Sequence, residues 1–371
     1  MVSAMACGSP AWAQDVKVGA SYVTDVLTVL DGGVDPGTAW LGRADVTVEI
    51  DGRAIGLDGV TFFGDLIYTH GPDFSGERVG DAQVVSNVQG DGILRPFEAW
   101  ASVPLAGGAS VKAGLIDLNT EFDIQSIGAF FINSSHGIAP ELSQTGISGP
   151  SIFPVTSTAV MLKLERKGWS GRVGLFNGVA GDPDCARCVR LPYPGQDGPL
   201  VIAELDVSIG DLEVQLGGWR DGSRAETVAS QAAGVPVLAR GGHGGYVQLE
   251  GRLAGNEDGP RLDAWGRLGF ADGETLRIEN YVGFGATYGT DPSRMGIAVA
   301  HARQSSFARA AFGAQGPQTR AETVVELGYA VQLIDEVMLQ PTVQYVVNPG
   351  WRSDIANAWV AGLRFAFALG G

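Results

Sequence analysis

The chain has 371 residues, 55 of them glycine, and its 41 acidic and 25 basic side chains give a net charge of −16. An acidic chain without a basic patch argues against nucleic acid or anionic lipid headgroups as partners. Hydrophobic residues make up 45% of the chain, yet no apolar run approaches the roughly 18 residues of a transmembrane helix. The chain is therefore either soluble or crosses a membrane as strands.

The N-terminus is typical of the tail of a secretory signal peptide. An Ala-Trp-Ala triplet ending at Ala13 precedes Gln14, which is the pattern of a cleavage site. A lipoprotein box ending at Cys7 is the alternative, but it lacks the expected leucine three residues earlier. We predict a partial signal peptide over 1–13 and one mature domain over 14–371.

Cleavage leaves two cysteines, Cys185 and Cys188, in an exported chain. Two cysteines outside the cytoplasm most often form a disulfide. A single Cys-x-x-Cys is also half of a metal site, but the chain has only four histidines and no second Cys-x-x-Cys. The expectation is a disulfide and no metal.

Alternation of apolar and polar residues predicts strands along most of the chain. In the segment 199–209, for example, Val201, Leu205 and Val207 share one face, while charged and polar side chains occupy the other. Most segments are near the 9–11 residues that a tilted strand needs to cross a bilayer. The sixteen predicted segments are 16–30, 40–50, 58–69, 95–104, 110–118, 158–167, 170–177, 199–209, 211–220, 244–254, 260–270, 279–289, 294–303, 319–333, 335–347 and 357–369.

The connections between these segments alternate between short and long. Gly210 alone joins two strands, whereas Asp221–His243 forms one of the long connections. An outer-membrane barrel has this asymmetry, with an even strand count, tight periplasmic turns and long outer loops. A soluble sandwich gives no reason for it. We predict an all-β fold: a 16-stranded antiparallel transmembrane β-barrel in the bacterial outer membrane, with a polar, water-filled lumen.

The longest connection, Asn119–Ser157, spans 39 residues without a strand pattern. Its phenylalanines argue against disorder, and an insert this long is usually functional. We predict that this third outer loop folds inward and narrows the pore. Asn and Asp here are also ordinary turn formers, and His136 is better explained as a polar loop residue than as a pore contact. The constriction candidates are Asp117, Asn119, Asp123, Asn133 and His136.

Three stretches resemble the carbohydrate-selective porins of the OprB family. They are GLIDLNTEFD at 114–123, FFINSSHGIAPELSQTGISGPSIFP at 130–154, and ETVVELGYAVQLIDEVMLQPTVQYVVNPG at 322–350. The resemblance implies a sixteen-stranded outer-membrane channel through which glucose and related sugars diffuse passively, without a cofactor. One departure is the C-terminus, where Phe367 is followed by Ala-Leu-Gly-Gly rather than ending the chain.

A sugar-selective lumen needs polar groups for hydroxyls and aromatic rings for C–H faces, and it must bind weakly. The eleventh predicted strand places four such residues on one face, opposite Leu262, Ala264, Leu268 and Phe270, and the fourth places two opposite Phe97, Ala99 and Val103. Charged residues could equally pair with each other across strands, but a tryptophan facing water has no packing role. The pore-lining candidates are Glu98, Trp100, Arg172, Arg261, Asp263, Trp265, Arg267 and Glu326.

Other classes of protein stay open. The net charge of −16 favours a general or cation-preferring porin as the alternative. No phosphate loop, His-x-x-x-His pair or Gly-x-Ser-x-Gly elbow is present, so we predict a channel rather than an enzyme. A barrel enzyme or adhesin and a soluble sandwich are less favoured. Many sixteen-stranded porins are homotrimers, and no segment here marks a trimer face. The expected partners are permeating sugars and outer-membrane lipid.

Overall fold

The computed structural model describes residues 15–182, 185–191, 198–235, 237–256 and 259–369. The predicted signal peptide lies outside them.

Strands run along the first half of the chain at nearly the predicted positions. The first nine strands are β1 (Val16–Gly33), β2 (Gly37–Asp51), β3 (Thr61–His70), β4 (Leu94–Leu105), β5 (Ala109–Ile116), β6 (Ser157–Arg166), β7 (Trp169–Asn177), β8 (Pro199–Ile209) and β9 (Leu212–Asp221). A two-stranded hairpin that the sequence pattern did not predict follows, β10 (Arg224–Glu226) and β11 (Leu238–Arg240).

The second half returns to long strands. They are β12 (His243–Gly255), β13 (Arg261–Ala271), β14 (Ile278–Thr290), β15 (Ser293–Gln304), β16 (Ala321–Ile334), β17 (Val337–Val347) and β18 (Ala356–Leu369).

Sixteen of the described strands form one closed antiparallel sheet, in which β9 pairs directly with β12. The barrel closes between β1 and β18, with register from Ala20 opposite Leu369 to Gly33 opposite Ala356. Pairing of the first strand with the last leaves no sheet edge unpaired. The predicted fold class is confirmed.

The pleat sends polar side chains inward and apolar ones outward. In β13, Trp265 and Arg267 are buried, while Leu268 and Phe270 are 56% and 61% exposed on the outer wall. Such large apolar side chains exposed strand after strand would be unfavourable in water, but they match the lipid-facing band of an outer-membrane barrel.

A bulge in β4 turns one side chain to the opposite side of the sheet from the one predicted. Asp65 of β3 pairs with Glu98, but the next residue, Leu66, pairs with Pro96, which leaves Phe97 as the extra residue. A bulge lets two successive side chains point to the same side. Phe97 is 2% exposed and points inward with Glu98, so the expectation that it lies on the opposite face is wrong.

Short helices and single turns lie in the connections. The helices are α1 (Pro140–Ser143), α2 (Val228–Ala233) and α3 (Ser306–Phe312). In the part of the chain that the structure describes, no helix has the length and hydropathy to cross a membrane. The single turns are at Gly52–Ile55, Ser75–Val79, Ala106–Gly108, Leu118–Thr120, Gly128–Phe130, Ser134–His136, Gly313–Gln315 and Pro349–Trp351.

Two long loops fill the interior of the barrel and form its core. Loop L2 (residues 71–93) packs Phe74 and Val85 against Leu27 and Leu41 of the wall. Loop L3 (residues 117–156) packs Leu118, Phe122 and Leu142 against the walls of β6–β9 and β12. The inward fold of L3 is as predicted, whereas that of L2 was not anticipated.

Candidate functional site

L3 follows the inner wall from β4 round to β16, held by carboxylates of the wall. At each of four contact points with the wall, one or two backbone N–H groups of L3 donate a hydrogen bond to a glutamate side chain. In chain order the bonds are Asp117 N to Glu98 of β4 (3.2 Å), Asp123 N to Glu204 of β8 (2.8 Å), Ile127 N to Glu250 of β12 (3.1 Å), and Ile132 N and Asn133 N to Glu326 of β16 (2.8 and 3.0 Å). The acidic lumen residues therefore anchor a loop.

Wall glutamines bind the carbonyls of the same loop. Gln215 and Gln248 both donate to the carbonyl of Ile124, at 3.2 and 2.8 Å, and Gln340 donates to that of Phe130 at 2.7 Å. Buried backbone groups that lack secondary-structure partners need such bonds. The wall thus satisfies the N–H and C=O groups of a loop that has almost no regular structure.

A fully buried ion cluster joins L3 to β13. The guanidinium of Arg267 donates to both oxygens of Asp123, at 2.7 and 3.1 Å, and to Glu141 of α1. All three side chains have 0% exposure, and Arg267 also lies 4.5 Å from the centre of the Tyr246 ring. Burial raises the pKa of the Asp123 and Glu141 carboxyls, and the charge of Arg267 opposes that shift.

L2 is held in a similar way from β16. Glu322 accepts hydrogen bonds from Ala82 N at 2.9 Å, Gln83 N at 3.0 Å and Gly350 N at 2.6 Å. Asp81, next to these amides, has its pKa raised to about 8, because it is buried and lies close to the charge of Glu322. One carboxylate thus gathers three backbone amides from two loops.

The two inner loops are also bonded to each other. Asn87 N of L2 donates to the carbonyl of Ile132 at 2.8 Å, and Ser134 N of L3 donates to the carbonyl of Val84 at 2.9 Å. L2 and L3 therefore form one layer across the lumen.

A cavity of about 420 Å³ remains between L2, L3 and the wall. Its charged lining groups are Arg43 and Asp117. Burial is the main reason why the pKa of Asp117 is raised to about 7. The carboxyl therefore loses its proton as the pH rises through neutrality, and the cavity becomes more negative. Most of its other polar groups are neutral amides and hydroxyls, from Gln83, Ser86, Asn87, Gln89, Asn119, Ser134, Ser135 and Ser143.

Arg43 lies between two aromatic rings at the edge of this cavity. Its guanidinium carbon is 4.8 Å from the centre of the Phe97 ring and 4.6 Å from that of Phe153. Its Nε donates to Asp45 at 2.8 Å, and Asp65 lies 3.8 Å away. The rings and carboxylates hold the planar group in one orientation.

Comparison with known proteins agrees with this architecture. Residues 35–369 match the model of the carbohydrate-selective porin, OprB family. The chain belongs to this family. Porin B of Pseudomonas aeruginosa is 25% identical over 392 residues, which cover 92% of this chain and 85% of that protein.

Solved structures share the fold. A high-pH structure of Pseudomonas putida OprB superimposes with a TM-score of 0.83 at 19% identity, covering 96% of this chain and 95% of that one. A trimer form of Vibrio cholerae OmpT gives a TM-score of 0.56 at 12% identity, covering 95% and 99%. The family match, together with this shared fold, makes the protein a carbohydrate-selective porin of the bacterial outer membrane, a channel rather than an enzyme.

Three predicted pore-lining residues lie in ion pairs on the periplasmic side of this porin. Arg172 contacts Asp206 and lies 3.5 Å from Glu204. Arg261 and Asp263 are 2.8 Å apart, and Asp263 also binds Arg294. Arg172 lines a cavity of about 490 Å³ beneath L3.

The prediction that Trp265 faces water is wrong. It is 4% exposed and packs beneath L3, with the centre of its ring 5.6 Å from that of His136. Trp100 is half-buried, stacked on Phe63 at 5.1 Å and with the ammonium of Lys112 3.8 Å from its ring centre. Both tryptophans thus have packing partners.

The constriction candidates separate into two groups. Asp117 and Asn119 line the cavity. Asp123, Asn133 and His136 have 0% exposure and hold L3 in place. His136 packs against Phe131 with ring centres 5.2 Å apart, and its burial lowers its pKa to about 3, which keeps it neutral.

Several predicted pore-lining residues bond L3. Glu98, Arg267 and Glu326 point inward and hold the loop against the wall. Asp123 is likewise a buried anchor.

Sequence reasoning missed Arg43 and the whole of L2. The available signal was the same one that drew attention to L3, since L2 also carries apolar residues, Phe74, Val79, Val85 and Val88, in a segment without strand periodicity. Arg43 could not be recognised from the sequence, because its aromatic neighbours come from β4 and L3, which are distant from it in the chain.

The two cysteines lie in the connection between β7 and β8. Cys185 and Cys188 form a disulfide, with Cα atoms 5.3 Å apart. Among the described residues, no three His, Cys, Asp or Glu side chains are grouped as a metal site.

Proposed function

We propose that glucose and related neutral sugars cross this porin through the 420 Å³ cavity between L2 and L3, in contact with Arg43, Asn87, Asn119 and Phe153. The observation that carries the proposal is the lining of this cavity, which combines neutral amides and hydroxyls with the Phe153 ring. Each hydroxyl of a sugar both donates and accepts, so groups of this kind replace the water that it loses.

The charges of the cavity favour a neutral solute over a cation. Arg43 is paired with Asp45 and faces Asp117 across the same space. Local charges of both signs give a small ion no strong preference, whereas a sugar gains hydrogen bonds from both. The net charge of −16 supports the alternative of a cation-preferring pore, which predicts conductance that sugar does not change.

Replacement of Arg43 with lysine tests the proposed path. Lysine keeps the charge but loses the planar donors held between two rings. We expect glucose to block the current through single channels about tenfold more weakly, the equivalent of about 1.4 kcal/mol, with little change in conductance without sugar. The measurement is a glucose titration of single-channel conductance for the chain starting at Gln14 in a planar bilayer.

Arg261 offers a matched control. Like Arg43, it is paired with an aspartate two residues later, at 2.8 Å, but it lies away from the cavity. Arg261→Lys should leave the glucose titration unchanged. Equal weakening in both variants, or none in Arg43→Lys, would contradict the proposed path.

We also propose that this porin assembles as a homotrimer. Support comes from the shared fold of the V. cholerae OmpT trimer form and from an apolar outer wall that another subunit could cover. Chemical cross-linking of the porin in native membranes should give a species of three times the monomer mass. Cross-linked samples that contain only the monomer would refute the trimer.

A further inference from the structure

One strand of the barrel supports both inner loops at the points where they line the cavity. Glu322 and Glu326 of β16 are four residues apart on its inner face, a span of about 14 Å. Glu322 binds the backbone of Ala82 and Gln83, which line the cavity on the side of L2. Glu326 binds Ile132 and Asn133, which directly precede the cavity-lining Ser134 on the side of L3.

We propose that β16 sets the width of the sugar path and that Glu322 and Glu326 are positioning residues for solute selectivity. This inference rests on the proposed passage of sugars between L2 and L3. Neither carboxylate touches the solute, since both are fully buried. Each acts through the backbone amides that it holds.

The geometry of Glu326 explains why a carboxylate is required. Its Oε1 accepts from Ile132 N at 2.8 Å and from Thr342 Oγ1 at 3.1 Å, and its Oε2 accepts from Asn133 N at 3.0 Å. All three bonds need an acceptor, and an ionised carboxylate presents acceptors only. Glutamine has nearly the same shape but would direct an NH₂ group against at least one of these donors.

The bonds between L2 and L3 spread the effect of either anchor to both sides of the cavity. Gln344 of β17 reinforces this junction. Its Oε1 accepts a hydrogen bond from the side-chain Nδ2 of Asn133 at 3.2 Å, and its Nε2 donates to the backbone carbonyl of Val85 at 2.8 Å. Loss of one anchor should therefore displace the inner layer while the hydrogen-bonded barrel stays closed.

The test is Glu326→Gln, with Glu322→Gln beside it, measured by exclusion of neutral polyethylene glycols of increasing size from single channels. Loss of charge-assisted hydrogen bonds should raise the population of displaced loops about 10- to 100-fold. We expect a larger polymer cut-off and greater current noise from a barrel that still folds and closes. An isosteric variant with the wild-type cut-off and noise would overturn the inference.

Two further variants keep the test decisive. Glu165→Gln changes a lumen glutamate that pairs with Lys163 at 2.6 Å and has no bond to L2 or L3 among its described contacts, and it should behave as wild type. Should Glu326→Gln fail to fold, Gln344→Leu removes bonds to both loops without touching a charge, and it should also raise the cut-off. An unchanged cut-off in both Gln344→Leu and Glu322→Gln would then refute the support role.

Polymer exclusion separates this inference from the proposed path. A larger cut-off in Glu326→Gln, together with an unchanged glucose titration in Arg43→Lys, would uphold the support role and reject Arg43 as a sugar contact. An unchanged cut-off with a weakened glucose titration in Arg43→Lys would uphold the path and reject the support role.

Discussion

Substitution of Arg267 with methionine is expected to destabilise the docked form of L3 by about 3–5 kcal/mol, because it leaves Asp123 and Glu141 as two buried carboxylates without a cation. L3 should then leave the wall for part of the time. The expected observations are a lower temperature of heat-induced unfolding in detergent and large, noisy conductance steps that glucose no longer blocks.

The companion variant removes the two charges as well. Arg267→Met combined with Asp123→Asn and Glu141→Gln leaves no unpaired buried ion, and it should recover much of the lost stability. Arg53→Met changes an exposed arginine paired with Asp51 and should have little effect, since exposed pairs contribute little. Wild-type behaviour of Arg267→Met alone would show that the cluster does not hold L3.

Substitution of Arg364 with methionine is expected to weaken the closure of the barrel. Arg364 of β18 donates to both oxygens of Asp25 of β1, at 2.7 and 2.8 Å, across the seam where the first and last strands meet. It also donates to Asn87 of L2 at 2.7 Å. Because Asp25 has 0% exposure, an unpaired carboxylate there should cost about 3–5 kcal/mol.

The resistance of the folded band to sodium dodecyl sulfate at rising temperature measures this loss. Arg364→Lys should restore it only in part, since lysine cannot form the two parallel bonds of a guanidinium. Asp25→Asn added to Arg364→Met removes the unpaired charge and should restore more. A wild-type melting profile for Arg364→Met would contradict a stabilising role at the seam.

Local periodicity was enough to predict the barrel. The alternation in β13 set Trp265 and Arg267 on one face and Leu268 and Phe270 on the other, and the structure keeps that division. A strand repeats every two residues, so this information lies within a few positions. The alternation of short and long connections then determined the even strand count and the direction of the loops.

Whether an inward-facing side chain faces water or anchors a loop depends on partners that are distant in the sequence. Glu322 binds Ala82 across 240 positions, and Glu326 binds Ile132 across 194. From the sequence alone, a glutamate that faces water and one that anchors a loop look the same. Trp265 was predicted to face water because nothing local showed that Phe131 and His136 of L3 would cover it.

The class of fold, the family and the inward course of L3 could thus be predicted from the amino-acid sequence, because each depends on a repeating or contiguous pattern. The sugar path that we propose exists only in the folded chain. It is the space left between L2, L3 and the wall, and its lining at Arg43, Asn87 and Phe153 is brought together from three separate parts of the chain.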